Sequence, residues 1–484
     1  MWLQTIERWA DRLPHPMALF IYLCCTVLAL SFIGEVLGWS AQHPSSGEVL
    51  EVRNLASSEG LVYMLTGLVK NFMGFAPVGP VLVIALAFAL AEKSGLLPAL
   101  ITRLSQRTPK ELLAVTIAFL GVMSSIAVDS GYVVLLPLCA ALFFSSGRHP
   151  IAGLALGFAC VSGGFSANLM VGPVDAMLAG ISTEAVQLVA DREVGLLGNY
   201  YFMVCSVPLI ILVSVLVNRH WVEPYLEAHP VKGEAPEPMA VHALGMSFWM
   251  TLLFIVIVWC VMTLPEGAVL REEGSGKLVQ GPFMGSLVAM IALSVAILAT
   301  VYGKTNGKLT NWKEWVGAIE QGIKDIAPYL ALMFVVAQFI AWFKWSELGP
   351  VLAVHLAALL EAWSLPTPLA LLALLFFTSV LNLFIGSASA KWALLAPIIV
   401  PAFYLLGIEP EAVQGAYRVA DSSTNIITPL MPYFPLVLAY AQKYDPEIGV
   451  GRILTIMLPY ALSLLGAWAL LLTIWLFAEL PFGA

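Results

Sequence analysis

The sequence predicts an all-α polytopic membrane protein with nine transmembrane helices and two re-entrant hairpins, arranged as an inverted repeat with broken helices. Three observations predict it. Of 484 residues, 60% are hydrophobic and only 11% are charged, whereas a soluble globular chain carries roughly 25% charged residues. Apolar runs recur along the whole length, and several reach the roughly 20 residues that a helix needs to cross hydrocarbon. Four of the runs have polar, Gly-rich or Pro-rich centres that a simple span does not carry.

The first span, 17 to 39, follows a mixed-charge start (Trp2, Glu7, Arg8, Trp9, Asp11, Arg12) and has no small-residue cleavage site before Glu35. It reads as a retained helix rather than a signal peptide, so that 1–61 is an N-terminal helix and external loop. A first repeat, 62–218, opens with a span at 62 to 92. Within it, 111–146 holds two short apolar arms around the polar tip Ser124 to Gly131 and reads as a re-entrant hairpin. The stretch 151–181 is long enough to cross but centres on Ser162-Gly163-Gly164-Phe165-Ser166-Ala167-Asn168, which reads as a break at membrane depth. A span at 199 to 218 closes the repeat. Residues 219–310 carry two linking spans, 242 to 263 and 283 to 302. The second repeat, 311–484, has the same order: a span at 311 to 342, a hairpin at 367–405 around Asn382 to Lys391, a broken helix at 411–441, and a last span at 453 to 478. Its break is Asp421-Ser422-Ser423-Thr424-Asn425, ahead of Pro429 and Pro432.

Charge placement agrees with this parse. With the N-terminus in the cytoplasm and the C-terminus in the periplasm of a bacterial inner membrane, most of the 23 Lys and Arg fall on cytoplasmic loops, as the positive-inside rule requires. Arg53, Lys70, Arg192, Arg271, Lys277 and Lys344 fall outside, and Lys391 and Arg418 lie within the membrane. Ser94, Leu96, Pro98 and Leu100 recur as Ser346, Leu348, Pro350 and Leu352, and Pro137 and Pro150 recur as Pro397 and Pro410. Each half crosses three times and two crossings separate them, so the second half runs inverted. Inverted repeats with broken helices are the architecture of alternating-access transporters, which hold substrate and ions near the midplane.

Several function classes fit poorly. The net charge of -8 comes without a basic patch, so nucleic acid is not an expected partner. The six cysteines (Cys24, Cys25, Cys139, Cys160, Cys205, Cys260) lie inside apolar segments without metal-ligand spacing, and read as small buried hydrophobes. Arg271 to Leu278 resembles a phosphate loop but lacks its leading Gly and the Ser or Thr after Lys277, so ATP is not expected. An intramembrane aspartyl protease using Asp129 and Asp175 is the remote enzyme alternative, and neither Asp sits in the sequence setting that such proteases show. A passive channel for small organic anions is the nearer alternative.

Non-helical backbone at membrane depth must be satisfied by protein or by a water-filled cavity, so the two tips and two breaks are expected to meet. Their hydroxyls, amides and carbonyls are hard oxygen ligands suited to Na⁺. The ion-binding candidates are Ser125, Asn168, Ser387, Asp421, Ser422 and Asn425, although capping is the blander role of any single hydroxyl. Ionisable groups in hydrocarbon cost roughly 2.5 to 3.5 kcal/mol on insertion scales, which makes each a functional candidate. Arg418 offers a planar fork for a carboxylate; the alternative is a fixed ion pair with Asp421, one turn on. Asp175 is read as a proton carrier, as a contact to a substrate amine, or as a helix cap. Trp392 either stacks on an aromatic ring or packs.

Taken together, Asn382, Lys391-Trp392, Pro410, Arg418 and Asp421 to Asn425, with Gly163 to Asn168, Pro173 and Asp175, resemble the AbgT family of p-aminobenzoyl-glutamate transporters, in the ion transporter superfamily, over nearly the whole chain. The resemblance implies a bowl-shaped homodimer in the lipid bilayer. It implies secondary transport of p-aminobenzoyl-glutamate and p-aminobenzoate, with export of sulfonamide antimetabolites by some members. It also implies that Asp175, Asn382, Trp392, Pro410 and Arg418 line the substrate path. Na⁺ or H⁺ is the candidate coupling ion, and no other cofactor or metal is expected.

Overall fold

The computed structural model describes residues 16–42, 49–75, 78–96, 99–100, 109–124, 132, 135–227, 244–265, 267–272, 282–363, 365–383, 385–428, 431 and 433–483. Their regular structure is helical apart from one antiparallel ribbon, β1 (Ser40–Gln42) paired with β2 (Val49–Glu51). In chain order the helices are α1 (Pro16–Leu37), α2 (Ser58–Met73), α3 (Val78–Lys93), α4 (Leu113–Ser124), α5 (Leu136–Ser145), α6 (Pro150–Gly163), α7 (Pro173–Val186), α8 (Tyr200–Val217) and α9 (Glu223–Glu227). They continue as α10 (Met246–Thr263), α11 (Pro282–Thr305), α12 (Trp312–Trp345), α13 (Leu348–Ala362), α14 (Thr367–Asn382), α15 (Ala388–Leu405), α16 (Pro410–Asn425), α17 (Phe434–Gln442) and α18 (Val450–Phe477).

The burial pattern is that of a protein dissolved in lipid. Leu65, Val69, Met73, Leu253, Phe254 and Phe477 are exposed on the outside, while Asn382, Lys391, Arg418, Asp421 and Ser422 are buried. A water-soluble protein arranges these the other way. Eight helical stretches among the described residues are long and apolar enough to cross, and a bent pair, α13 with α14, adds a ninth. By length and composition α15 is one of the eight, although it is the returning arm of the hairpin predicted at 367–405. The two broken stretches fall outside that count because each divides into short pieces, α6 with α7 and α16 with α17. Proline sets all four of these starts: Pro150, Pro173, Pro410 and Pro435 occupy first-turn positions, where a missing N–H costs nothing.

Each hairpin packs against the broken helix of its own half, α4 and α5 on α6, and α14 and α15 on α16. Gly121 and Gly153 permit the first of these approaches. A Cβ at Gly121 would stand 2.5 Å from the Cys160 Cβ, and one at Gly153 would stand 2.5 Å from the Cys139 carbonyl oxygen. Small residues let membrane helices approach in this way. The halves meet where α15 packs on α7, and where α16 packs on α6 and α7. The expectation for cysteine holds for Cys24, Cys139 and Cys160, but Cys25 and Cys205 are exposed and Cys260 is half-buried. Cysteine is apolar enough to face lipid as well as protein.

Candidate functional site

Two buried ion pairs form the centre of the molecule. The first joins the halves. Asp175 is the third residue of α7, and its Oδ2 accepts from the Gly172 amide at 2.8 Å and from Asn168 Nδ2 at 3.3 Å. This caps the helix at the end where its dipole favours an anion. Arg418, on α16 of the other half, reaches Asp175 Oδ1 with Nη2 at 2.6 Å and donates from the same nitrogen to the Ser166 carbonyl at 2.8 Å. Their side chains are 2% and 7% exposed. Asp175 is therefore helix cap and counter-ion at once. The alternative of an Arg418–Asp421 pair is corrected, because the two residues on one helix hold different partners.

Asp421 belongs to the second pair. Lys391 Nζ lies 2.5 Å from Asp421 Oδ1, with side chains 0% and 2% exposed. It also donates to Asn382 Oδ1. Asn382 completes the knot by donating from Nδ2 to the Asp421 carbonyl and to Thr424 Oγ1, each at 2.7 Å. An amide side chain can serve a cation and an acceptor together because it carries both an oxygen and an NH₂. Arg418 and Lys391 thus balance Asp175 and Asp421 among the described membrane-depth residues. One anion added to this set leaves it unbalanced.

Trp392 packs. It is fully buried, lies 4.4 Å centroid to centroid from Tyr417 at 33°, and donates from Nε1 to Ser182 Oγ at 3.0 Å. Ser182 in turn donates to Gln414 Oε1 at 2.8 Å, and the Tyr417 hydroxyl donates to the Ala388 carbonyl at 2.6 Å. This chain of contacts ties α15 to α7 and α16. Trp392→Phe keeps most of the ring contact and removes the N–H, so thermal unfolding is expected to show a loss of about 0.5–1.5 kcal/mol. No loss would mean that Ser182 finds another donor.

The remaining candidates separate. Ser422 Oγ accepts from the Ser166 amide at 3.1 Å, and Ser387 Oγ accepts from the Ala390 amide as the cap of α15. Ser125 and Asp129 lie outside the described residues. Pro410 is buried at the start of α16, about 12 Å along the axis from Arg418 at 1.5 Å per residue. As donors for Na⁺, the oxygens of Asp421 and Asn382 already hold an ammonium group. Ser166 Oγ and Asn425 Oδ1, by contrast, are buried without a partner among the described residues, and Ser422 stands one turn before Asn425. Those three are hard oxygens that fit Na⁺. Sequence alone did not assign Lys391 its partner, and it gave no role to Ser182, Gln414 or Tyr417. The available signal was polarity on α16, whose residues are almost all buried although few are apolar.

Near Pro410 the halves are also latched. Arg192, from the loop after α7, pairs with Glu409 and reaches Glu411 at 3.2 Å. The C-terminal tail covers the same place: the Phe202 amide donates to the Phe482 carbonyl at 3.2 Å, and a Cβ at Gly415 would stand 2.9 Å from the Phe482 ring.

Comparison with known proteins bears on what this arrangement does. A family model described as the AbgT putative transporter family matches residues 1–484. The p-aminobenzoyl-glutamate transport protein of Escherichia coli (strain K12) is 35% identical over 485 residues, covering 99% of this chain and 95% of that protein. The crystal structure of the YdaH transporter of Alcanivorax borkumensis superposes with a TM-score of 0.93 at 45% identity, covering 97% of this chain and 100% of the other. The structure of Neisseria gonorrhoeae MtrF, described as illuminating a class of antimetabolite efflux pumps, superposes with a TM-score of 0.90 at 37% identity, covering 99% and 98%. These relatives are transporters and pumps rather than enzymes.

Proposed function

This chain belongs to the AbgT transporter family, and from that premise we propose that it is a secondary active transporter of aromatic carboxylates of the p-aminobenzoate and p-aminobenzoyl-glutamate class, with sulfonamide antimetabolites as further substrates. The observation that carries the reading is the Arg418–Asp175 pair across the seam between the halves. A substrate carboxylate that takes the guanidinium displaces Asp175, and a buried carboxylate left unpaired is costly unless it gains a proton. Substrate anion and proton then bind together, and charge stays balanced. Na⁺ among Ser166, Ser422 and Asn425 is the second reading, favoured by the unpartnered oxygens of Ser166 and Asn425. In either case Lys391, Asn382 and Asp421 position α14 and α15 against α16, and Trp392 supports that wall rather than forming the ring site in this conformation.

We extend the reading to the assembly: the chain sits in a bacterial inner membrane as a homodimer, N-terminus inside and C-terminus outside, with inverted halves 62–218 and 311–484. The Arg192 latch then closes the outer side. Purified protein in proteoliposomes tests the reading, with Na⁺ and proton gradients imposed separately. Accumulation of labelled p-aminobenzoate against its own gradient, driven by the proton gradient, is the expected result. Flux that merely tracks the substrate gradient would replace the transporter reading with a passive channel.

A further inference from the structure

We propose that two charge clamps at repeat-related corners, Arg148 with Glu223 and Arg192 with Glu409 and Glu411, are opposed gate contacts on the inner and outer sides of this protein; this rests on the transporter reading above. The corners are where each hairpin runs into its broken helix. After α5 the Gly147 and Arg148 amides donate to the Phe144 and Phe143 carbonyls at 3.0 and 2.9 Å. After α15 the Gly407 and Ile408 amides donate to the Tyr404 and Phe403 carbonyls at 2.9 and 3.0 Å. Gly147 and Gly407 both take left-handed backbone, with φ of 81° and 78°, which glycine enters without a Cβ penalty. Three residues on stand Pro150 and Pro410, which start α6 and α16. One local fold is used twice.

Each corner carries an arginine over an aromatic ring of its hairpin, and a glutamate against that arginine. At the first, Arg148 Cζ lies 3.9 Å from the Phe143 ring centre, and Arg148 donates to Glu223 from Nη2 and, at 3.3 Å, from Nε. At the second, Arg192 Cζ lies 5.8 Å from the Tyr404 ring centre, and the guanidinium pairs with Glu409 and Glu411. The charges are exchanged, since the first corner supplies the arginine and the second supplies the glutamates. Their partners flank α8, Arg192 before it and Glu223 after it. With 18 residues at 1.5 Å each, α8 is about 27 Å long, close to the thickness of hydrocarbon, so the clamps lie on opposite faces. α8 packs along α18 and is the post to which both corners are fastened. A π turn, Asn218–Val222, leads from α8 to Glu223. Asn218 braces it, donating from Nδ2 to Glu223 at 2.6 Å and accepting at Oδ1 from the Tyr460 hydroxyl of α18 at 2.7 Å. Both clamps are closed in this conformation. Alternating access opens one side while the other stays shut, so weakening one clamp raises the population open on its own side at the expense of the other.

The test reads sidedness rather than flux. Ser389, which lines a cavity of about 370 Å³ beside the start of α7, is changed by Ser389→Cys in full-length protein whose Cys25, Cys205 and Cys260 are replaced by alanine. A membrane-impermeant methanethiosulfonate is applied to right-side-out and to inverted vesicles, and the ratio of the two labelling rates is measured. Glu223→Gln, which keeps an acceptor for Asn218, is expected to shift the ratio about three-fold towards the Arg148 side, the scale of a part-exposed ion pair. Arg192→Gln is expected to shift it by a similar factor the other way, and the two together to return it near the parent value. Arg148→Gln breaks the first clamp from its other partner and is expected to repeat the Glu223→Gln shift, so a poorly folding variant does not decide the outcome. Shifts in one direction for both clamps, an unaltered ratio with lowered unfolding midpoints, or a reporter that no variant exposes overturn the proposal, because a clamp that only adds stability has no side. Fast labelling of the parent from both sides at once would mean a passive channel, and the transporter reading would fall together with this inference. One-sided labelling of the parent that the variants leave unchanged removes the inference alone.

Discussion

Arg418→Ala is expected to abolish transport of carboxylate-bearing substrates and also to destabilise the protein, whereas the double variant Arg418→Met with Asp175→Asn is expected to regain stability and stay inactive. The two effects have different causes. Removing the guanidinium takes away the cationic partner of Asp175, whose side chain is 7% exposed. Breaking a buried pair on one side costs about 3–5 kcal/mol, because the remaining charge has neither water nor counter-ion. Removing both charges together is often neutral. The neutral pair keeps the Gly172 amide capped through the Asn carbonyl oxygen, so α7 retains its start. A thermal unfolding series on the four members of the cycle, alongside uptake in proteoliposomes, separates the effects. Transport by the double variant would remove Arg418 from the substrate path, and a stable single variant would show that Asp175 does not depend on the guanidinium as its counter-ion.

Lys391→Met is expected to produce a stability loss of similar size, about 3–5 kcal/mol. Lys391 is fully buried and supplies a positive charge to Asp421 while bonding Asn382. The size of the replacement side chain decides whether a cation can take the place of the ammonium. Methionine fills the space with apolar atoms and leaves Asp421 stranded. Lys391→Gly leaves room between two hard oxygens, and a small hard cation can enter where the ammonium stood. NaCl is therefore expected to raise the unfolding midpoint of Lys391→Gly above that in choline chloride, and to leave Lys391→Met unmoved. A midpoint equally insensitive to Na⁺ in both variants would show that the Asp421 and Asn382 oxygens do not form a cation-sized site. Asp421→Asn combined with Lys391→Met should recover most of the loss, by the reasoning that applies to the first pair.

Much of this architecture arises from local features of the chain. Long apolar runs specify α1, α8, α10, α11 and α18, since hydrocarbon demands internally satisfied backbone over a fixed thickness. Polar residues interrupting apolar arms mark the break between α6 and α7, because a Ser-Gly-Gly stretch offers neither helix propensity nor apolar side chains for lipid. The same logic picked out Asp129, Asp175, Lys391, Arg418 and Asp421 as residues that hydrocarbon tolerates only in company.

The company itself was not legible. Arg418 and Asp421 are three residues apart on one helix, where neighbours usually interact, yet one faces Asp175 and the other faces Lys391. Asp175 is 243 positions from Arg418, and Ser182 is 210 positions from Trp392. Periodicity reports which face of an element is apolar, and says nothing about which distant element that face will meet. By itself the sequence determined that this chain is a polytopic membrane protein with breaks at membrane depth, and which few charges lie there. The tertiary structure alone decided that those charges form two closed pairs and that Trp392 packs on Tyr417 and bonds Ser182. It also decided that a cavity of about 370 Å³ lies beside the start of α7, lined by Phe88, Phe165 and Tyr329. The physical reason is that the cost of burial is set locally, residue by residue along the chain, whereas pairing and enclosure are set by how two inverted halves come to rest against each other.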